Sequence, residues 1–83
     1  MAIQIKSNGH REAWHNLSLK GMQMAVDGYI EPVYLSGKVI LVNEEGLLRS
    51  LPVNEEASAM ANQILVGDVL VLSREEWEQG GEV

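Results

Sequence analysis

Two histidines near the N-terminus are the side chains best suited to bind a metal. His10 and His15 lie five positions apart, with Glu12 between them. Histidine and glutamate are common metal ligands, but this spacing matches no established ligand pattern such as HExxH. We therefore interpret the segment as a solvated polar loop and predict no metal site.

Adjacent carboxylates occur at two places where they could act as a general acid and base. They are Glu44-Glu45 and Glu55-Glu56. Each pair also has a local structural explanation, because the first lies in a predicted turn and the second at the start of a predicted helix. The chain has no cysteine and no G-x-S-x-G, P-loop or G-x-G-x-x-G segment. The sequence therefore predicts a protein without catalytic activity and without a cofactor.

Aromatic and basic side chains offer a third chemistry, the binding of a small anion that carries a ring. Tyrosine and tryptophan can stack on a base, while arginine and the N-terminus of a helix can hold phosphate. The candidate ligand-binding residues are Trp14, Tyr29 and Tyr34 for stacking, and Arg11, Arg49 and Asn54 for the anion. The alternative is that the rings belong to an otherwise aliphatic core and that the charges are scattered over the surface.

The length and composition limit what these side chains can belong to. With 83 residues, 46% of them apolar, the chain has the size of one globular domain that spans residues 1–83. Its net charge of −6 disfavours general nucleic-acid binding. No cysteine is available for a disulfide, and no apolar run is long enough for a membrane span or a secretory signal. We expect a cytoplasmic protein.

The first third of the chain predicts a strand and a helix. Alternation over residues 2–6 indicates a short strand that ends at a turn cluster. Residues 10–17 have no clear period, so we predict an irregular segment or a helical turn there. Ser18 is a suitable N-cap for a helix that reaches Val26, and Gly28 should end that helix in the left-handed conformation.

The middle of the chain predicts an antiparallel hairpin and a second helix. Residues 29–35 and 38–42 flank a Ser-Gly turn, and Pro32 marks the first of these strands as an edge strand. Asn43-Glu44-Glu45-Gly46 favours a type I turn, after which residues 47–51 should return as a short strand. Asn54 predicts the N-cap of a second helix that runs to about residue 62.

The last third of the chain contains its most apolar run. Residues 69–72 read as a central strand that is buried on both faces. Ser73 and Glu76 have the capping-box spacing, which predicts a last helical turn carrying Trp77. The resulting fold class is α+β, with a small, mostly antiparallel sheet, two helices on one face and a short C-terminal helical turn. The predicted core includes Ile30, Ile40, Val42, Met60, Val69 and Val71.

Four short segments, taken together, resemble one family. They are Gly28-Tyr29-Ile30-Glu31, Asn43-Glu44-Glu45-Gly46, Leu51-Pro52-Val53-Asn54-Glu55-Glu56-Ala57 and Val66-Gly67-Asp68-Val69-Leu70. Their order is similar to that of an uncharacterised family of small bacteriophage and plasmid proteins. In this chain Glu55-Glu56 stands where basic residues often follow the asparagine, and the family has no established activity to transfer.

The resemblance implies a mobile-element context, in which small non-enzymatic proteins commonly act on the host cell. One hypothesis is a homo-oligomeric module that binds a small host nucleotide signal, such as a cyclic ADP-ribose derivative, and sequesters it. The other is an inhibitor that docks on a host protein through its acidic surface, in the manner of a nucleic-acid mimic. An enzyme that degrades the signal is less favoured. We also predict self-association, because a small core leaves apolar surface near Pro32 and Trp77 to be covered.

Overall fold

The chain folds into a five-stranded antiparallel sheet and three helices, in a computed structural model that describes residues 1–80. The strands are β1 (Ala2–Ile5), β2 (Arg11–Trp14), β3 (Ile30–Leu35), β4 (Lys38–Asn43) and β5 (Val69–Ser73). The helices are α1 (Leu19–Val26), α2 (Glu55–Ala61) and α3 (Arg74–Gly80). The strand order is β2-β1-β5-β4-β3. This arrangement confirms the predicted α+β class, with β5 at the centre of the sheet.

The helices cover both faces of the sheet. Side chains alternate along each strand, so Leu41 and Leu70 are buried beneath α1, with Trp77 of α3 packed against the same cluster. Ile40 and Val69 point to the opposite face and are buried beneath α2. The prediction that the two helices share one face is therefore wrong. The reason is that β4 and β5 are apolar at successive positions, so both of their faces need cover.

The face beneath α2 is less completely covered than the face beneath α1. Helix α2 has only seven residues and buries only Ala57 fully. Of the predicted core residues, Ile40, Val42 and Val69 are buried, while Ile30, Met60 and Val71 are half-buried. Met60 and Val71 belong to the cluster beneath α2, so part of that apolar face remains accessible to solvent.

Each helix begins at the residue that the sequence predicts. The Ser18 hydroxyl accepts from the Gly21 N–H at 3.0 Å. Ser73 and Glu76 form a reciprocal capping box, with N–H···O distances of 2.9 and 3.0 Å. Asn54 caps α2 and is described with the site below. Within residues 1–80, no helix is long and apolar enough to cross a membrane.

Three local predictions are wrong. Residues 11–14 form a strand because β1 offers them a free edge to pair with, which no local sequence period records. Residues 47–51 form hydrogen-bonded turns instead of a strand. The left-handed residue at the end of α1 is Asp27, with φ 60°, and not Gly28. Gly28 instead allows the Asn43 side chain to approach closely, because a Cβ at this position would lie 2.5 Å from the Asn43 side-chain nitrogen.

Candidate docking groove

The turn that follows β4 presents two leucines to solvent on an ordered backbone. The Arg49 N–H donates to the Glu45 carbonyl at 2.9 Å, which closes a helical turn around them. Leu47 and Leu48 lie inside this turn and are 79% and 88% exposed. Large apolar side chains that are held together on a surface are typical of interaction sites.

Asn43 fixes this turn to the end of α1. Its side-chain N–H groups donate to the carbonyls of Val26 at 3.1 Å and Asp27 at 2.9 Å. Its side-chain oxygen accepts from the Glu45 N–H at 2.8 Å. The Arg49 guanidinium adds a bond to the Asp27 carbonyl at 2.8 Å. Asn43 is itself buried, so the turn is held to α1 by bonds that water cannot easily replace.

The segment between α2 and β5 places a third large apolar side chain near this turn. Asn62 ends α2 in the left-handed conformation, with φ 55°. The Leu65 N–H then donates to the Ser58 hydroxyl at 2.8 Å, and the Leu65 carbonyl accepts from the Asn54 N–H at 2.8 Å. These bonds hold Leu65 inward and leave Ile64 73% exposed.

A groove of about 420 Å³ lies between Leu47-Leu48 and Ile64, and we call it the docking groove. Val33 and Val42 contribute to it from the partly covered face of the sheet. Glu31 and Glu44 also line it, and no lysine, arginine or histidine of the described chain does so. The docking groove therefore suits apolar side chains flanked by positive charge.

The three residues predicted to hold an anion are engaged in the fold. Arg11 pairs with the carboxylate of Glu56, and Arg49 binds the carbonyl and the carboxylate of Asp27 at 2.8 and 3.3 Å. Asn54 is 1% exposed and uses its side chain to cap α2. None of these three residues contributes to the wall of the docking groove. Each has a structural role in its present position.

The three aromatic residues are spread over the sheet. Trp14 and Tyr34 lie in the two opposite edge strands, and Tyr29 precedes β3. The Trp14 ring is half-buried and donates through Nε1 to the Asn16 carbonyl at 3.0 Å. Tyr34 is 56% exposed, with the Arg74 guanidinium 5.6 Å from its ring centre. The structure does not bring the three rings to one pocket.

The acidic pairs and the histidines lie in separate parts of the structure. Glu55 and Glu56 occupy the first turn of α2, and Glu44 and Glu45 lie in the turn after β4. His10 lies 3.6 Å from a carboxylate oxygen of Glu12, and both side chains are exposed. Within residues 1–80, no three His, Asp or Glu side chains are grouped so that they could hold a metal ion.

Sequence reasoning did not identify Leu47, Leu48 and Ile64 as candidate functional residues. The sequence predicts a strand over residues 47–51 and places Ile64 in the apolar run before β5. A signal for the leucines exists, because two adjacent residues of one strand point to opposite faces. The two leucines lie between a Glu-Glu-Gly turn and the polar pair Arg49-Ser50. A strand this short can bury only one of its faces, so at least one of the two leucines is expected to be exposed.

Comparison with known proteins identifies a family and no activity. The model of a family described as a domain of unknown function (DUF3846) matches residues 2–81. The chain belongs to this family, which confirms the expectation of an uncharacterised family. No curated protein and no solved structure matches the chain significantly.

Proposed function

We propose that this DUF3846 chain is a non-catalytic docking protein that occupies an apolar and basic site on another protein. The observation that carries the proposal is the exposure of Leu47 and Leu48 on a turn that Asn43 ties to α1. In the mobile-element context that the family resemblance implies, the partner is a protein of the host cytoplasm.

Rigid display of the leucines supports binding in preference to simple solvation. Ordering a flexible loop at an interface costs free energy, and a turn that is already ordered avoids most of that cost. The fully buried centre of a protein interface is more apolar than its rim. Leu47, Leu48 and Ile64 suit such a centre, since all three are large, apolar and more than 70% exposed (79%, 88% and 73%).

The charge around the docking groove selects the chemistry of the partner. Glu31 and Glu44 line the groove, and the chain as a whole carries a net charge of −6. Lysine or arginine side chains beside the apolar contact would pair with these carboxylates, while an acidic partner would be repelled. We therefore expect association to slow as the salt concentration rises.

Sequestration of a small nucleotide signal is the alternative proposal, and the geometry favours it less. A phosphate site needs donors that converge and are not already paired. Arg11 and Arg49 are paired with Glu56 and Asp27, and the Asn54 amide is buried. A nucleotide would have to displace these contacts before it could be held.

A peptide titration followed by NMR tests the docking proposal. The probe is a short peptide that alternates leucine and lysine, and the control peptide has glutamate in place of lysine. We expect the lysine peptide to shift the amide signals of residues 44–48 and 63–66, and the glutamate peptide to leave them unchanged. Shifts confined to other surfaces, equal effects of both peptides, or no effect at millimolar peptide would overturn the proposal.

Matched substitutions show which surface binds the lysine peptide. Leu48→Ser should weaken the lysine peptide about tenfold, which corresponds to ~1.4 kcal/mol. Met24→Ser is the control, because Met24 is 62% exposed on α1, away from the docking groove. Equal losses in both variants would contradict the assignment.

The nucleotide alternative has its own readout. The protein is incubated with a panel of nucleotide second messengers, and the solution is analysed before and after the protein is denatured by heat. Depletion of a nucleotide that heat then releases intact would support sequestration, and a chemically altered nucleotide would support an enzyme. No depletion leaves the docking proposal as the one to pursue with Leu48→Ser.

A further inference from the structure

The two edge strands of the sheet, β2 and β3, differ in what their free edges offer. In antiparallel pairs, residues alternate between those that bond to the neighbouring strand and those whose N–H and C=O point away. The Glu44 N–H donates to the Tyr29 carbonyl at 2.8 Å, so Tyr29 is a residue that bonds to the neighbouring strand. In steps of two from Tyr29, Glu31, Val33 and Leu35 also bond to β4. The residues between them, Pro32 and Tyr34, therefore turn their backbone groups outward.

The free edge of β3 is blocked at its centre. Pro32 occupies an outward position and has no N–H, so the bonds to β4 are intact while the edge lacks a donor. Proline at such a position is a common protection against pairing with another strand. β3 is therefore poorly suited to accept a further strand.

The free edge of β2 has no such block. The Lys6 N–H donates to the His10 carbonyl at 2.8 Å, and the same alternation turns the N–H and C=O groups of Arg11 and Ala13 outward. Outside the strand ladders, neither N–H donates a hydrogen bond within residues 1–80. Arg11 and Ala13 are exposed, and the Arg11 side chain turns away from the edge toward Glu56 on the α2 face.

We propose that β2 pairs antiparallel with β2 of a second copy of this chain. The pairing joins the two five-stranded sheets into one continuous sheet, with a two-fold axis perpendicular to it. The outward residues of one copy must face the outward residues of the other, so Arg11 or Ala13 lies opposite Arg11 or Ala13. The two-fold axis then passes beside Arg11, Glu12 or Ala13 of both copies. The first two arrangements place like charges directly opposite one another, which is unfavourable.

The remaining arrangement centres on Ala13. It places the two Ala13 methyl groups opposite each other, sets each Glu12 opposite the other copy's Trp14, and leaves Arg11 opposite His15, which lies outside the strand. No like charges therefore meet within residues 11–14. A second copy is the occupant that the edge fits, because the same few outward groups serve as donor and acceptor on both sides. The strand has only four residues, so the dimer should be weak, with a Kd in about the micromolar to millimolar range.

Sedimentation and hydrogen exchange over a wide concentration range test this proposal. We expect the average mass to rise toward twice that of the monomer. The amide proton of Ala13 should exchange more slowly at high concentration, while the outward amide of Tyr34 should exchange at an unchanged rate. A monomer at millimolar concentration, or protection that rises at Tyr34 and not at Ala13, would overturn the proposal.

A pair of substitutions completes the test. Ala13→Pro removes one outward donor without removing a bond to β1, since Ala13 and Ile3 form a non-bonded pair of that ladder. It should abolish the dimer, whereas Ala13→Val retains the N–H and should preserve it; thermal melting confirms that both variants are folded. A dimer that survives Ala13→Pro and is lost in Leu48→Ser would place the contact in the docking groove, and the proposal would be wrong. If Ala13→Pro does not fold, the exchange of the Ala13 amide in the parent chain decides.

Discussion

The side-chain amide of Asn54 donates to the backbone carbonyl of Ile5 at 2.9 Å, a contact between residues 49 positions apart in the chain. The same amide group donates to the Gly67 carbonyl at 2.9 Å, and its oxygen accepts from the Ala57 N–H at 3.0 Å. One buried side chain thus caps α2 and ties it to β1 and to the segment before β5. A helix of seven residues depends on such tertiary contacts, because isolated helices of this length are unstable in water.

Asn54→Ala should therefore destabilise the fold more than the loss of an N-cap alone. The substitution removes the cap and leaves the Ile5 and Gly67 carbonyls without this donor, at a cost of about 2–4 kcal/mol in the free energy of unfolding. Asn54→Ser retains an oxygen that can accept from the Ala57 N–H and loses the two amide donors without burying a charge, so it separates the two contributions. Urea denaturation measures both. A loss below about 1 kcal/mol for Asn54→Ala would contradict the structural role of these bonds.

Much of the fold could be predicted from local sequence signals, and the exceptions share a cause. The caps at Ser18 and Asn54 and the hairpin around Gly37 depend on residues close in sequence, and all three are confirmed. Strand β2 depends on a partner in β1, and the opposite placement of α1 and α2 depends on how the whole sheet is covered. Neither of these two features is encoded in a short segment of the sequence.

The candidate site was less predictable than the fold. The sequence indicates Arg49 because arginine binds anions, yet its charge is used at the C-terminal end of α1, where a cation is also favoured. The exposure of Leu48 and Ile64 depends on two separate turns that meet in space. Residue type indicates what a side chain can bind, but only the fold shows whether it is free to do so.

Arg49→Ala should lower stability modestly. The guanidinium binds the Asp27 carbonyl and carboxylate at an exposed helix end, where such an interaction contributes about 0.5–1 kcal/mol. Arg49→Lys retains the charge and should recover about half of the loss. Thermal melting at low and high salt measures the effect, and a loss of stability that does not depend on salt would contradict an electrostatic role.

Gly46→Ala should distort the docking groove. A Cβ at Gly46 would lie 2.7 Å from Cγ2 of Val66, so the turn carrying Leu47 and Leu48 must move away from the segment carrying Ile64. We expect a stability loss of about 1–3 kcal/mol, as for overpacking, together with weaker binding of the leucine–lysine peptide. Val66→Ala in the same chain removes the colliding methyl group and should restore part of both. If Gly46→Ala binds the peptide as the parent does, the two walls do not act together.

Glu76 should make stability depend on pH in the acidic range. Partial burial acts to raise the pKa of its carboxyl, but the hydrogen bond from the Ser73 N–H and the N-terminal ammonium group 3.4 Å away outweigh it and hold the pKa below its ordinary value. A lowered pKa in the folded state contributes stability that is present above the unfolded pKa and is lost as the pH falls through the folded pKa. In denaturation between pH 7 and pH 2, Glu76→Gln should show a shallower loss of stability than the parent. Parallel curves for the two proteins would contradict this.

Pro32→Val should convert a limited assembly into an open one. The substitution restores an outward N–H at the centre of β3 and introduces a residue that favours strands, so each chain would have two free edges, one at β2 and one at β3. Edges that pair at both ends of a sheet can propagate without closing, and we expect the average mass to grow with concentration beyond that of a dimer. Combining Pro32→Val with Ala13→Pro leaves one free edge on each chain, and this variant should stop at a dimer joined through β3. If Pro32→Val has the same mass as the parent at every concentration, Pro32 does not block the β3 edge.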